Sequence, residues 1–172
     1  MALQQYKQNW ISPEDYLAGE MVSDMKHEYI DGEVHAMTGG TLPHNDISVN
    51  LTSLLRAFLR GKGCKVNLSD AKVKVSEQGP DFYPDVVVSC DERDRRAIEA
   101  ISYPKLIVEV LSPTTAAFDR GDKFRFYRHI PTRQEYVLID AEKVSIDRYY
   151  KTNAGKWELT AYPEDAASQE HP

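Results

Sequence analysis

Cysteine is scarce in this chain of 172 residues. Cys64 and Cys90 are the two present, too few for a disulfide framework and not spaced as a metal knuckle. Both are expected as reduced, buried thiols. Long apolar runs are missing too. The longest stretches, such as Leu106–Val110, are strand-sized, so no membrane-spanning helix is expected. The opening MALQQYKQNW lacks the apolar core of a secretory signal. Basic residues are in deficit: 21 Lys and Arg stand against 27 Asp and Glu, for a formal net charge of -6. That argues against a generic, charge-driven nucleic-acid binder. It leaves room for a nuclease, because a carboxylate site counts as negative until its cation arrives. Internal repeats and low-complexity segments are also absent. A cytoplasmic protein without a membrane partner is expected.

What is present has the grammar of an α/β domain. Residues 1–162 read as one domain with a loose arm over 1–11, and 163–172 as a flexible tail. Ser12-Pro13-Glu14 combines a capping hydroxyl, proline in the first turn and an acid, and starts a short helix. His27–Ile30 and Glu33–Met37 flank Asp31-Gly32, a dipeptide suited to a tight type I′ hairpin. Pro43–Arg60 is the clearest helix, with Ile47, Leu51, Leu54, Leu55 and Phe58 on one stripe. Lys65–Leu68 and Ala71–Val75 read as short strands. Phe82–Ser89 and Lys105–Leu111 are apolar on both faces, as central covered strands are. Phe118–Ile130 reads as a second helix closed by Pro131, and Gln134–Ile139, Val144–Tyr150 and Lys156–Tyr162 as three further strands.

Two acids stand out by position. Asp85 heads the run Asp-Val-Val-Val-Ser, and Glu109 sits inside Leu-Ile-Val-Glu-Val-Leu. A carboxylate inside an apolar strand is costly unless a cation or a basic partner compensates. On neighbouring strands the pair can converge on one hard cation with oxygen ligands, magnesium or manganese. Lys123 follows on the next helix, with Asp119 four residues earlier on the same side. It serves either as half of a surface ion pair or as an ammonium that stabilises charge on a phosphorane. Glu28 and His44 are auxiliary candidates. The first is an accessory ligand or an exposed strand carboxylate, the second a site residue or a solvated helix-start histidine. Arg93, Arg95, Arg96 and Lys105 are interleaved with Asp91, Glu92 and Asp94 and read as a solvated loop. Tyr149 and Tyr150 suit strand packing or a dimer surface.

The ordered set His27-Glu-Tyr-Ile-Asp-Gly-Glu33, His44, Tyr83-Pro-Asp-Val-Val87, Ile107-Val-Glu-Val-Leu-Ser-Pro113, Asp119…Lys123…Tyr127 and Glu135-Tyr-Val-Leu-Ile-Asp140 resembles the bacterial Uma-two family of restriction-endonuclease-like proteins. The match runs from about Ser12 to Tyr162. The resemblance implies a restriction-endonuclease-like fold, a mixed central β-sheet flanked by helices, and a PD-(D/E)XK site with Asp85 and Glu109 as its two acids. That signature places Lys two residues after the Glu, where this chain has Leu111. In the family a lysine of the following helix stands in, which points to Lys123.

Three functions are weighed. The first is a magnesium-dependent nuclease acting on DNA, with Asp85, Glu109 and Lys123 catalytic, Asp85 and Glu109 on the metal, and a homodimer as its assembly. The second is a non-catalytic dimerising or DNA-docking module that keeps the fold. The third, a hydrolase of another bond with Glu28 and Glu109 as acid and base, has no support in the spacing.

Overall fold

The structure, a computed structural model, describes residues 10–37 and 39–164. The loose arm and the flexible tail read from the sequence lie outside those residues except for Trp10, Ile11, Pro163 and Glu164. Trp10 and Ile11 lie against the turn at Gly32. Ile11 N–H donates to the Gly32 carbonyl at 2.9 Å, and the Trp10 indole packs so closely on Gly32 that a Cβ there would collide with it.

Helix α1, Pro13–Glu20, is capped by Ser12, whose hydroxyl accepts from Asp15 N–H. Strands β1, His27–Ile30, and β2, Glu33–Ala36, form the expected hairpin. Its turn uses left-handed backbone at Asp31 (φ 49°) and Gly32 (φ 91°), as a type I′ turn requires. Helix α2, Leu42–Leu59, is capped by Thr41. Then follow β3 (Lys65–Leu68), β4 (Val73–Lys74), β5 (Asp81–Phe82) and β6 (Val86–Ser89). The short α3 (Glu92–Arg95) leads to β7, Leu106–Leu111, and then to α4, Ala116–Phe118. A π-helical turn, Asp119–Lys123, joins α4 to α5, Phe124–Tyr127, and β8 (Glu135–Asp140), β9 (Ile146–Lys151) and β10 (Trp157–Tyr162) follow.

The strands form two sheets. A six-stranded sheet has the order β10-β9-β8-β7-β6-β3, and a four-stranded one the order β2-β1-β5-β4. The large sheet is mixed: β7 and β8 are parallel and its other pairs antiparallel. One face of it is covered by α2, which packs on β3, β6 and β7. The other face is covered by the segment from α4 to α5, whose Phe118, Phe124, Phe126 and Tyr127 meet Phe82, Val87, Ile107, Leu111, Tyr136 and Leu138 in the core. This is the α/β fold with helices on a mixed sheet that the element pattern predicts.

Four expectations are corrected. The single strand Phe82–Ser89 is two strands, because Tyr83-Pro84-Asp85 breaks the ladder between the sheets; proline donates no ladder hydrogen bond. The single helix Phe118–Ile130 is three pieces around a π turn. The apolar stripe of α2 is only partly the buried one: Ser48 and Thr52 are buried and Ile47, Leu51 and Leu55 half-buried, while Leu54 and Phe58 stay exposed at 70% and 69%. Cys64 and Cys90 are not free, buried thiols. The pairing of Lys65 with Ser89 sets Cys64 opposite Cys90, their Cα atoms are 4.0 Å apart, and they form a half-buried disulfide.

Candidate active site

The site lies where the two sheets meet the π turn. Val86 pairs with Val108 across β6 and β7, and one step further along the ladder brings Asp85 opposite Glu109. Directly opposed residues of an antiparallel pair share a face, so both carboxylates point the same way. A single Oδ2 of Asp85 accepts from the Val110 backbone N–H at 2.7 Å and lies 3.2 Å from His44 Nε2. Burial raises the pKa of Asp85, although the Val110 amide, His44 and Lys123 all oppose the shift.

Two elements bring further groups to this point. Thr41 caps α2 through His44 N–H, which places the imidazole in the first turn, aimed at Asp85. Gly40 clears the space, since a Cβ there would be 2.8 Å from His44 Nδ1. From the opposite side the π turn sends Lys123 inward. Its ammonium lies 2.9 Å from Glu28 Oε1, 3.2 Å from Glu109 Oε1 and 3.3 Å from Asp119 Oδ1. Lys123, Glu109 and Asp119 are all buried. Burial works against the lysine's charge, yet Glu109, Glu28 and Asp119 together hold its pKa above the ordinary range. Burial also holds Glu109 well above a normal carboxylate, with Lys123 pulling it back.

All six residues singled out in the sequence therefore gather in one place. Reading Asp119 and Lys123 as a surface ion pair is replaced by a buried cluster, and Glu28 is no exposed strand carboxylate. Sequence reasoning missed Tyr127. Its hydroxyl, wholly buried, donates to Glu109 Oε1 at 3.3 Å. The signal was available: Asp119, Lys123 and Tyr127 recur every fourth residue and so share a helix face. The Val110 amide, a backbone contact, has no signature of its own. Leu111, at the usual lysine position, is buried in the core. The arginines near α3 are neutralised locally, Arg93 by Asp91 and Arg95 by Glu92.

The donor set suits a small hard cation. Among the described residues no group of three or more His, Cys, Asp or Glu side chains forms a metal-holding cluster. Magnesium does not need one: it keeps several waters and takes one or two carboxylates. Acceptor capacity is also left over. Glu28 Oε1 and Asp119 Oδ1 are buried within ion-pair distance of Lys123, but neither completes an aligned hydrogen bond.

Comparisons with known proteins bear on the family and the fold. The chain is 45% identical over 152 residues to the uncharacterized protein slr1290 of Synechocystis sp., covering 88% of this chain and 80% of that one. It is 37% identical over 149 residues to the uncharacterized protein sll1609 of the same organism, covering 85% and 84%. Among solved structures it is similar to a putative nuclease belonging to DUF820 from Anabaena variabilis, with a TM-score of 0.73, 17% identity and 94% of each chain covered; at that identity the likeness speaks for the fold. The Uma2 family, described as "Putative restriction endonuclease", matches residues 13–172, and the chain belongs to it.

Proposed function

We propose that this protein is a metal-dependent nuclease that hydrolyses phosphodiester bonds of DNA at a PD-(D/E)XK-type site. One observation supports this reading above the others. Asp85, immediately before β6, and Glu109 of the adjacent β7 face the same point, and Lys123 reaches Glu109 at 3.2 Å from a different element. In this reading Lys123 of the π turn stands in for the lysine that the signature places at Leu111, and its 3.2 Å approach to Glu109 supports that role.

Asp85 and Glu109, with the Val110 carbonyl, would hold one magnesium or manganese ion. Such an ion acts as a Lewis acid and lowers the pKa of a bound water. The chain's own residues do the rest. Lys123 carries positive charge to where negative charge develops on the phosphorane. Glu28 fixes the ammonium from the far side, and Tyr127 holds Glu109 in place by its hydroxyl. His44 holds Asp85 through the oxygen that the Val110 amide also binds. The reading includes a cytoplasmic location and a homodimer. No described helix is long and apolar enough to cross a membrane.

Plasmid nicking with magnesium tests the reading. The native protein is expected to nick, and Asp85→Ala, Glu109→Ala and Lys123→Ala each to lose activity. Equal activity in the native protein and the triple variant would sink it. The rival reading, a non-catalytic docking module, is favoured by Leu111 at the usual lysine position. It predicts no magnesium or manganese binding by calorimetry in the millimolar range.

A further inference from the structure

Sheet edges need protection, because a row of unpaired backbone groups invites another strand. Three of the four edges here have it. β3 is four residues long, begins on exposed Lys65, and is flanked by the Cys64–Cys90 disulfide. β2 carries Glu33 and His35, and β4 is two residues long with Ile101 bridging to Val73. β10 is different. It pairs with β9 along all six residues, and no described strand pairs with its other side. Within Trp157-Glu-Leu-Thr-Ala-Tyr162, Glu158 is the single charge, and Leu159 and Tyr162 are 55% and 44% exposed.

We propose that β10 is a dimer surface, pairing antiparallel with β10 of a second copy across a two-fold axis to join two six-stranded sheets. The strand itself argues for this occupant. A two-fold axis perpendicular to the sheet keeps each residue on its own face. An axis through Leu159 sets that leucine against its own copy. Trp157 then lies against Ala161 of the partner subunit, a large residue against a small one. Glu158 meets Thr160 of the partner subunit, so like charges do not face each other. Trp157, Leu159 and Ala161 pair with Lys151, Tyr149 and Asp147, which puts them on the face where Tyr149 and Trp157 pack on Phe124. The partner's strand therefore extends the face that carries Trp157, Leu159, Ala161 and Tyr149, with Lys151 and Asp147 beside them on β9. The interface is isologous and closed, so it ends at a dimer.

Sedimentation velocity of the full chain, with Leu159→Lys and Leu159→Cys, tests this independently of nuclease activity. Leu159 is exposed, so neither change disturbs the monomer's core, and circular dichroism checks that. The native chain is expected at twice the chain mass at micromolar concentration, Leu159→Lys at the single mass with at least a tenfold weaker dimer. Leu159→Cys is expected to cross-link under mild oxidation and to run as a dimer without reductant. A native monomer at 100-fold higher concentration overturns the proposal. So does a dimer that persists in Leu159→Lys while Leu159→Cys fails to cross-link, which would move the contact to a surface such as the exposed Leu54 and Phe58 of α2. A monomer in which the outward-facing β10 amides, those not bonded to β9, resist hydrogen exchange also overturns it, because the edge is then covered by the chain itself.

Discussion

Lys123 decides whether the carboxylates of the site can coexist. It faces Glu28, Glu109 and Asp119 within 3.3 Å, and removing one partner from a buried ionic cluster costs about 3–5 kcal/mol because the remaining charges stay behind. Lys123→Met is therefore expected to destabilise by about that amount near neutral pH and to abolish nicking. The loss depends on pH, and its sign follows from Glu109. Burial holds this group well above its ordinary 4.5. A carboxyl raised in the folded state contributes stability that is full below the unfolded value and is lost as pH rises through the folded one. Without the ammonium that loss deepens, so the penalty of Lys123→Met should shrink below about pH 4.5 and grow above it. Denaturant melts at several pH values measure this. A penalty that does not change with pH would mean that the carboxylates are not the groups responding.

At the scale of elements, α2 and the π turn show what was legible in the sequence. The helical periodicity of Ile47, Leu51, Leu54, Leu55 and Phe58 found α2 within a residue at each end. It did not find the buried face, since the helix sits over β3, β6 and β7 on Ser48 and Thr52. Periodicity reports that a helix has an apolar side and not which neighbour meets it. Leu54→Lys is accordingly expected to shift stability by no more than about 0.5 kcal/mol. Val87→Ala, at a fully buried strand position, should cost about 2 kcal/mol. Urea melts of the two variants check the contrast, and a large loss for Leu54→Lys would mean that α2 is covered in solution. The site was more legible than the fold's details. Glu109 was visible as an acid inside an apolar strand, Asp85 as an acid at the head of another, and Lys123 by its four-residue step from Asp119. The π turn that aims Lys123 inward has no sequence period of its own, and Tyr127 was visible only as a further step on that helix face. The disulfide was hidden for a related reason. Cys64 and Cys90 are 26 residues apart, and only the strand register of β3 on β6 makes them neighbours. Closing a loop of that length stabilises by about 3 kcal/mol in the chain-entropy account. A cytoplasmic dithiol pool would reduce it, so excess dithiothreitol is expected to lower the melting temperature by several degrees and expose two titratable thiols. An unchanged melting temperature would show that the backbone pairing alone holds β3.

For the whole molecule the question is how a chain of net charge -6 approaches a polyanion. Burial raises the pKa of Asp85 and of Glu109; His44 faces Asp85, and Lys123 is the cation that Glu28, Glu109 and Asp119 surround. Without a bound cation, the site presents carboxylates to incoming phosphate. Removing one such repulsion is worth about 1 kcal/mol in water at contact distance, roughly a fivefold change in affinity. The double variant Asp85→Asn with Glu109→Gln is therefore expected to bind duplex DNA at least about fivefold more tightly than the native protein in chelator, while cleaving none with magnesium. Magnesium should tighten native binding and leave the variant's almost unchanged, because the cation then has lost its ligands. The variant's advantage should fade as salt rises, to the extent that it comes from the half-buried Asp85, which salt screens more than the buried Glu109. Fluorescence anisotropy of a labelled duplex, titrated with and without magnesium at two salt concentrations, reads all of these. Weaker binding by the variant in chelator would show that the carboxylates help to hold nucleic acid without a metal, and would overturn the electrostatic account of the site.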